Sequence, residues 1–218
     1  MKENNFPLIC LLFFILLSGI NCFDRDDCPD DFHVPAQIIP YQLEYKVGDT
    51  IRMVSKFHRM VLDKSTGRQF DMNNINWHPN TVVDLLDTIG FSKITNYFKF
   101  ISNSNYKEYI LSKGYSLLEG EYTYKQDTYY LEFILIPKYA GNYFLSQKCG
   151  IGPGDNNQSF PGFCRRVGYY VRVNMNAGKN GNIQLLKESK DTLYNTIDAN
   201  SPNWLFYDKG GFCFRVVP

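Results

Sequence analysis

The chain has 218 residues, 23 basic against 22 acidic, and a formal net charge of +1 at pH 7. A balance this even supplies no basic face of the kind a nucleic acid demands, so no nucleic-acid partner is expected. The length suits one generous domain or two small ones, and aromatics at 16% of residues fit a core built from strands.

The amino terminus reads as an export signal. Met1 to Asn5 is short and polar, Phe6 to Leu17 is apolar apart from Pro7, and the small pair Ser18 and Gly19 follows. This run is shorter than the ~20 apolar residues a membrane-crossing helix needs. Asn21 fits poorly before an ordinary signal-peptidase cut. Leu17-Ser18-Gly19-Ile20-Asn21-Cys22 instead resembles a relaxed lipobox, although Asn21 stands where Gly or Ala is usual. The resemblance implies cleavage before Cys22 and a diacylglyceryl group on its sulfur. Asp24, Asp26, Asp27, Asp30 and Asp31 follow at once and read as a solvated, self-repelling tether; an EF-hand would need a Gly and a spaced Glu that are missing. The expected organisation is a signal peptide over 1–21, an acidic tether over 22–34 and a sandwich domain over 35–218, in one or two subdomains.

Alternation dominates the rest. Leu43, Tyr45 and Val47 lead into Gly48-Asp49, after which Ile51, Met53 and Phe57 share a face. The stretch from Leu85 to Ile101 fits either a strand or a helix. Leu131, Phe133 and Leu135 alternate with Ile134 and Ile136 up to Pro137. Pro137-Lys138-Tyr139-Ala140-Gly141-Asn142-Tyr143 then resembles the corner at which a tyrosine hydroxyl bonds back to nearby backbone. In an antibody-type domain a cysteine would follow two residues on, where Leu145 stands. Gly150 to Gly154 reads as a constrained surface loop; a phosphate loop would need a following Lys-Ser/Thr. Val167, Tyr169, Val171 and Val173 alternate again. Ile183, Leu186, Leu193, Tyr194 and Ile197 fall near one face of a helical period, predicting one short helix before the last strand, on which Phe212, Phe214 and Val216 alternate with Cys213, Arg215 and Val217. The predicted fold is therefore mainly β: an antiparallel, immunoglobulin-like β-sandwich with one C-terminal helix.

Six cysteines occur, and Cys10 leaves with the signal. Lipidation of Cys22 would leave Cys28, Cys149, Cys164 and Cys213 for two disulfides in an oxidising space. Three pairings are open. Cys149 with Cys164 is favoured, because the two bracket a Gly/Asp/Asn-rich stretch, which leaves Cys28 for Cys213. Zinc would want a Cys-x-x-Cys pair, which is absent, and no metal or cofactor is expected.

Taken together, the lipobox, the acidic start, Cys28-Pro29-Asp30-Asp31-Phe32, the Tyr45-Lys46-Val47-Gly48-Asp49-Thr50-Ile51 strand and Gly211-Phe212-Cys213-Phe214 resemble uncharacterised Bacteroidota surface lipoproteins. The resemblance implies anchoring to the bacterial outer membrane, exposure at the surface and a sandwich fold; it carries no activity.

No catalytic constellation stands out. His33, His58 and His78 lack metalloprotease spacing, no Gly-x-Ser-x-Gly elbow occurs, and no particular carboxylate pair recommends itself for glycoside cleavage. The expected role is structural or binding, without catalysis; the alternatives are a glycan- or protein-binding module of a nutrient-uptake complex and a secreted hydrolase. Trp77, Tyr122, Tyr124, Tyr129, Tyr130, Trp204, Phe206 and Tyr207 could supply a sugar-stacking platform, set against the ordinary use of aromatics in a sandwich core. Trp204, with Tyr207 beside it, is the preferred ligand-binding candidate, since Ser201-Pro202-Asn203 and Lys209-Gly210-Gly211 read as loop.

Overall fold

The computed structural model describes residues 28–73, 75–88, 93–110, 116–156, 170–195 and 201–218. Cys22 and Cys164, the signal peptide and residues 22–27 of the tether lie outside them.

Two six-stranded sheets face each other. The first runs β11 (Thr123–Lys125), β12 (Thr128–Pro137), β3 (Ile51–His58), β1 (Asp31–Ile39), β15 (Tyr170–Met175), with β8 (Phe98–Ser102) also on β12. The long β12 serves two neighbours along one edge: residues 128–130 pair β11, and Phe133 to Pro137 pair β8. The second sheet runs β2 (Glu44–Lys46), β16 (Gly211–Val217), β13 (Gly141–Lys148), β7 (Asn80–Leu85), β10 (Ser116–Gly120), β9 (Tyr106–Ile110). Two small ribbons complete the described strands, β4 (Met60–Leu62) with β5 (Gln69–Asp71) and β6 (Ile75–Trp77) with β14 (Ile151–Asn156).

Alternation places the core as expected. Ile51 and Met53, Leu131, Phe133 and Leu135, Val171 and Val173, and Phe212, Phe214 and Val216 all point between the sheets and are buried. The anticipated tyrosine corner forms: Tyr143 Oη donates to the Tyr139 carbonyl at 3.0 Å, and burial pushes the phenol up to about 12. The segment from 85 to 101 divides into the end of β7, one helical turn α1 (Ile94–Tyr97) and β8.

Several expectations are corrected. The sandwich is not wholly antiparallel: β1 pairs β15, and β2 pairs β16, in parallel. Alternation reports which face is buried and is silent on strand direction. The acidic segment does not stay a tether through residue 34, because β1 starts at Asp31 and both Phe32 and Val34 are buried. Asp63 Oδ1 accepts from the Asp31 backbone N–H at 2.7 Å and fixes that start. The Gly150 to Gly154 stretch is largely strand, since β14 pairs β6 through backbone whatever its side chains prefer. The single helix is broken into α2 (Ile183–Lys187) and a turn at 192–195. Neither favoured disulfide forms, because Cys149 and Cys213 are thiols. Cys213 sits on the outer side of β16 with Leu86, Phe144, Leu186 and Phe206, while Cys149 packs against the inter-sheet core. That outer cluster is where the C-terminal helical segments cover the second sheet.

Candidate functional site

At one end of the sandwich β6, β9, β10 and the chain just beyond it enclose a cleft of about 510 Å³. Its aromatic floor is Trp77, Tyr122 and Tyr129, which pack on Phe57 behind them: the Phe57 ring lies 5.2 Å from Trp77, 5.2 Å from Tyr122 and 5.3 Å from Tyr129. Trp77 and Tyr129 also meet edge-on at 5.8 Å. Such pairs contribute ~0.5–1.5 kcal/mol each beyond the area they bury, so the floor is rigid. Trp77 points inward because β6 alternates Ile75 in, Asn76 out, Trp77 in.

The phenols of the floor are committed inward. Ser55 Oγ gives its hydrogen to the Pro35 carbonyl, so Tyr122 Oη is the donor in its 2.8 Å bond to Ser55. Tyr129 Oη donates to the Met72 carbonyl at 2.6 Å. Burial raises both phenols, which therefore stay neutral. Burial also pushes the Cys149 thiol, beside Tyr122, up to about 12, so it is no nucleophile at neutral pH. The Trp77 indole N–H is shut off from solvent and lies beside the Tyr129 phenol.

The rim is polar and comes mainly from the β9–β10 hairpin. Lys107 and Tyr109 share one face of β9, and Glu119 of β10 stands directly opposite Lys107. Glu121 follows and accepts from Asn105 Nδ2 at 3.3 Å. Tyr109 is 42% exposed. This hairpin depends on Gly120: a Cβ there would come within 2.5 Å of the Tyr106 ring, which lies across β10 and packs on Phe100 and Phe133. No group of three or more metal-ligating side chains occurs among the described residues.

The sequence-predicted aromatics separate into two places. Trp77, Tyr122 and Tyr129 converge on the cleft floor, and Tyr124 lies 4.7 Å from Tyr129. Tyr130 instead hydrogen-bonds Glu132. Trp204 and Tyr207 lie elsewhere, in a five-residue π-helical turn (Asn203–Tyr207) rather than an open loop. They are 51% and 44% exposed, whereas Phe206 between them is fully buried. Lys209 Nζ sits 5.5 Å over the Trp204 ring. Sequence reasoning missed the rim residues Lys107, Tyr109, Glu119 and Glu121. The signal available was the alternation of Tyr106 to Ile110, followed by carboxylates two residues apart.

No family model and no curated protein matches the chain. Among solved structures it is similar to a cohesin module from a Clostridium perfringens family 33 glycoside hydrolase, at TM-score 0.32 and 14% identity over 65% of this chain and 97% of that one. A non-cellulosomal cohesin from Archaeoglobus fulgidus gives TM-score 0.31 and 7% identity over 88% of this chain and 93% of that one. The reeler domain of human F-spondin gives TM-score 0.29 and 10% identity over 66% and 93%.

Proposed function

We propose that the protein is an exported, membrane-tethered binding module that holds a glycan or protein ligand in the cleft above Trp77 and Tyr122, without a catalytic step. The observation that carries the reading is the cleft itself: a rigid aromatic floor, an exposed tyrosine and convergent carboxylate, ammonium and amide groups, the composition of a ligand site. The test is photo-crosslinking in the host cell with a benzophenone side chain at position 109 or at position 204. An adduct formed from 109 and not from 204 supports the cleft. Adducts from 204 alone would move the site to the π-helical turn, and none from either would end the binding reading.

The tether rests on the run that ends at Cys22. Cys149 and Cys213 are thiols, which leaves Cys28 to pair with a cysteine other than these two. Lipid on Cys22 turns that sulfur into a thioether, and Cys10 leaves with the signal, so the partner becomes Cys164. Non-reducing peptide mapping of protein taken from the membrane is expected to give diacylated Cys22, Cys28 linked to Cys164, and unmodified Cys149 and Cys213. A bridge between Cys22 and Cys28 would refute the tether.

A further inference from the structure

We infer that the ligand of the cleft is a neutral oligosaccharide rather than an acidic glycan or a peptide, an assignment that rests on the cleft being the binding site.

Two features carry it. Apart from Ile75 and Gly120, every residue that lines the cleft is aromatic or polar. A peptide rich in aliphatic side chains would find no row of aliphatic subsites here. A sugar offers hydroxyls to polar planar groups and C–H faces to rings, which matches this lining. Tyr109 presents the exposed ring: it stands on the same face of β9 as Lys107 and is 42% exposed. A rigid amphipathic ring of this kind gives contact area at low conformational cost.

Charge then selects among sugars. Two carboxylates, Glu119 and Glu121, face one ammonium, Lys107. Lys107 lies directly across the strand pair from Glu119. Glu121, held by Asn105 Nδ2, leaves net negative charge on the rim. A uronate or sulfated chain would bring like charge against it, and repulsion of this sort discriminates against wrong ligands.

The experiment titrates the purified protein with three panels: neutral oligo- and polysaccharides, uronate-bearing or sulfated ones, and unstructured peptides. Binding of neutral saccharides is expected. Tyr109→Ala should weaken it at least tenfold and Glu121→Gln severalfold, both with an unchanged melting temperature, while Trp204→Ala leaves it intact. Tyr109-dependent binding of acidic saccharides or peptides would overturn the ligand class and leave the cleft standing. Saccharide binding that ignores Tyr109→Ala and Glu121→Gln but is lost in Trp204→Ala would overturn the cleft as the site. Absence of saccharide binding would overturn the class outright.

Discussion

Asp84, on β7, is 4% exposed and accepts a hydrogen bond from Tyr194 Oη beneath the helical cover. Burial is the main influence on it and pushes its carboxyl up to about 6; the Tyr194 bond opposes the rise and Asp191 adds to it. The folded protein therefore holds this proton more tightly than the unfolded chain does. Its stability contribution is full at low pH, falls as pH rises from about 4 to about 6, and is flat above that. Asp84→Asn keeps an acceptor for Tyr194 without the buried charge. It is expected to raise stability at pH 7.5 by up to ~2–3 kcal/mol and to change little at pH 4, which thermal melts at the two pH values will check. The π-helical turn offers a second contrast at this scale. Trp204→Ala removes an exposed ring and should cost within ~0.5 kcal/mol, whereas Phe206→Ala opens the cluster shared with Phe144 and Tyr194 and should cost ~3–5 kcal/mol in denaturant titrations. The two residues stand two apart in a stretch whose flanks read as loop, and the side chains alone did not reveal which was core.

The β9–β10 hairpin is the element on which the site depends. Gly120→Ala drives a Cβ into Tyr106, whose ring is already enclosed by Phe100 and Phe133. A loss of ~1–3 kcal/mol is expected in chemical unfolding, with weaker ligand binding, because overpacking shifts β9 and with it Tyr109. Strands with one dry face were readable directly: β3 and β12 carry their buried residues where period two places them, whereas β16 also buries Cys213 on its other face under the helical cover. The tyrosine corner was readable too, because its geometry is local to Tyr139 and Tyr143. Elements whose identity rests on partners were not. β14 is rich in Gly and reads as loop, yet pairs with β6. α1 is a single turn between strands, too short to show a period. The parallel pairs of β1 with β15 and of β2 with β16 join distant parts of the chain, which no local pattern encodes.

At the scale of the molecule, the sandwich has a helical cover over one face of its second sheet and a polar, aromatic-floored cleft at an edge. Part of the cleft was legible as an excess of aromatics. The rest was not, because a site assembled from β6, β9, β10 and β12 exists only once both sheets have formed. The central claim is that an exported module presents this cleft to the surroundings of the cell. Tyr109→Cys tests it most directly, using a membrane-impermeant maleimide on intact host cells. The parent protein supplies the background: Cys213 is fully buried and the Cys149 thiol is pushed up to about 12, so neither should react. Labelling of the variant on intact cells, with the parent unlabelled, is the predicted result; labelling of the variant only after the cells are broken would contradict the account.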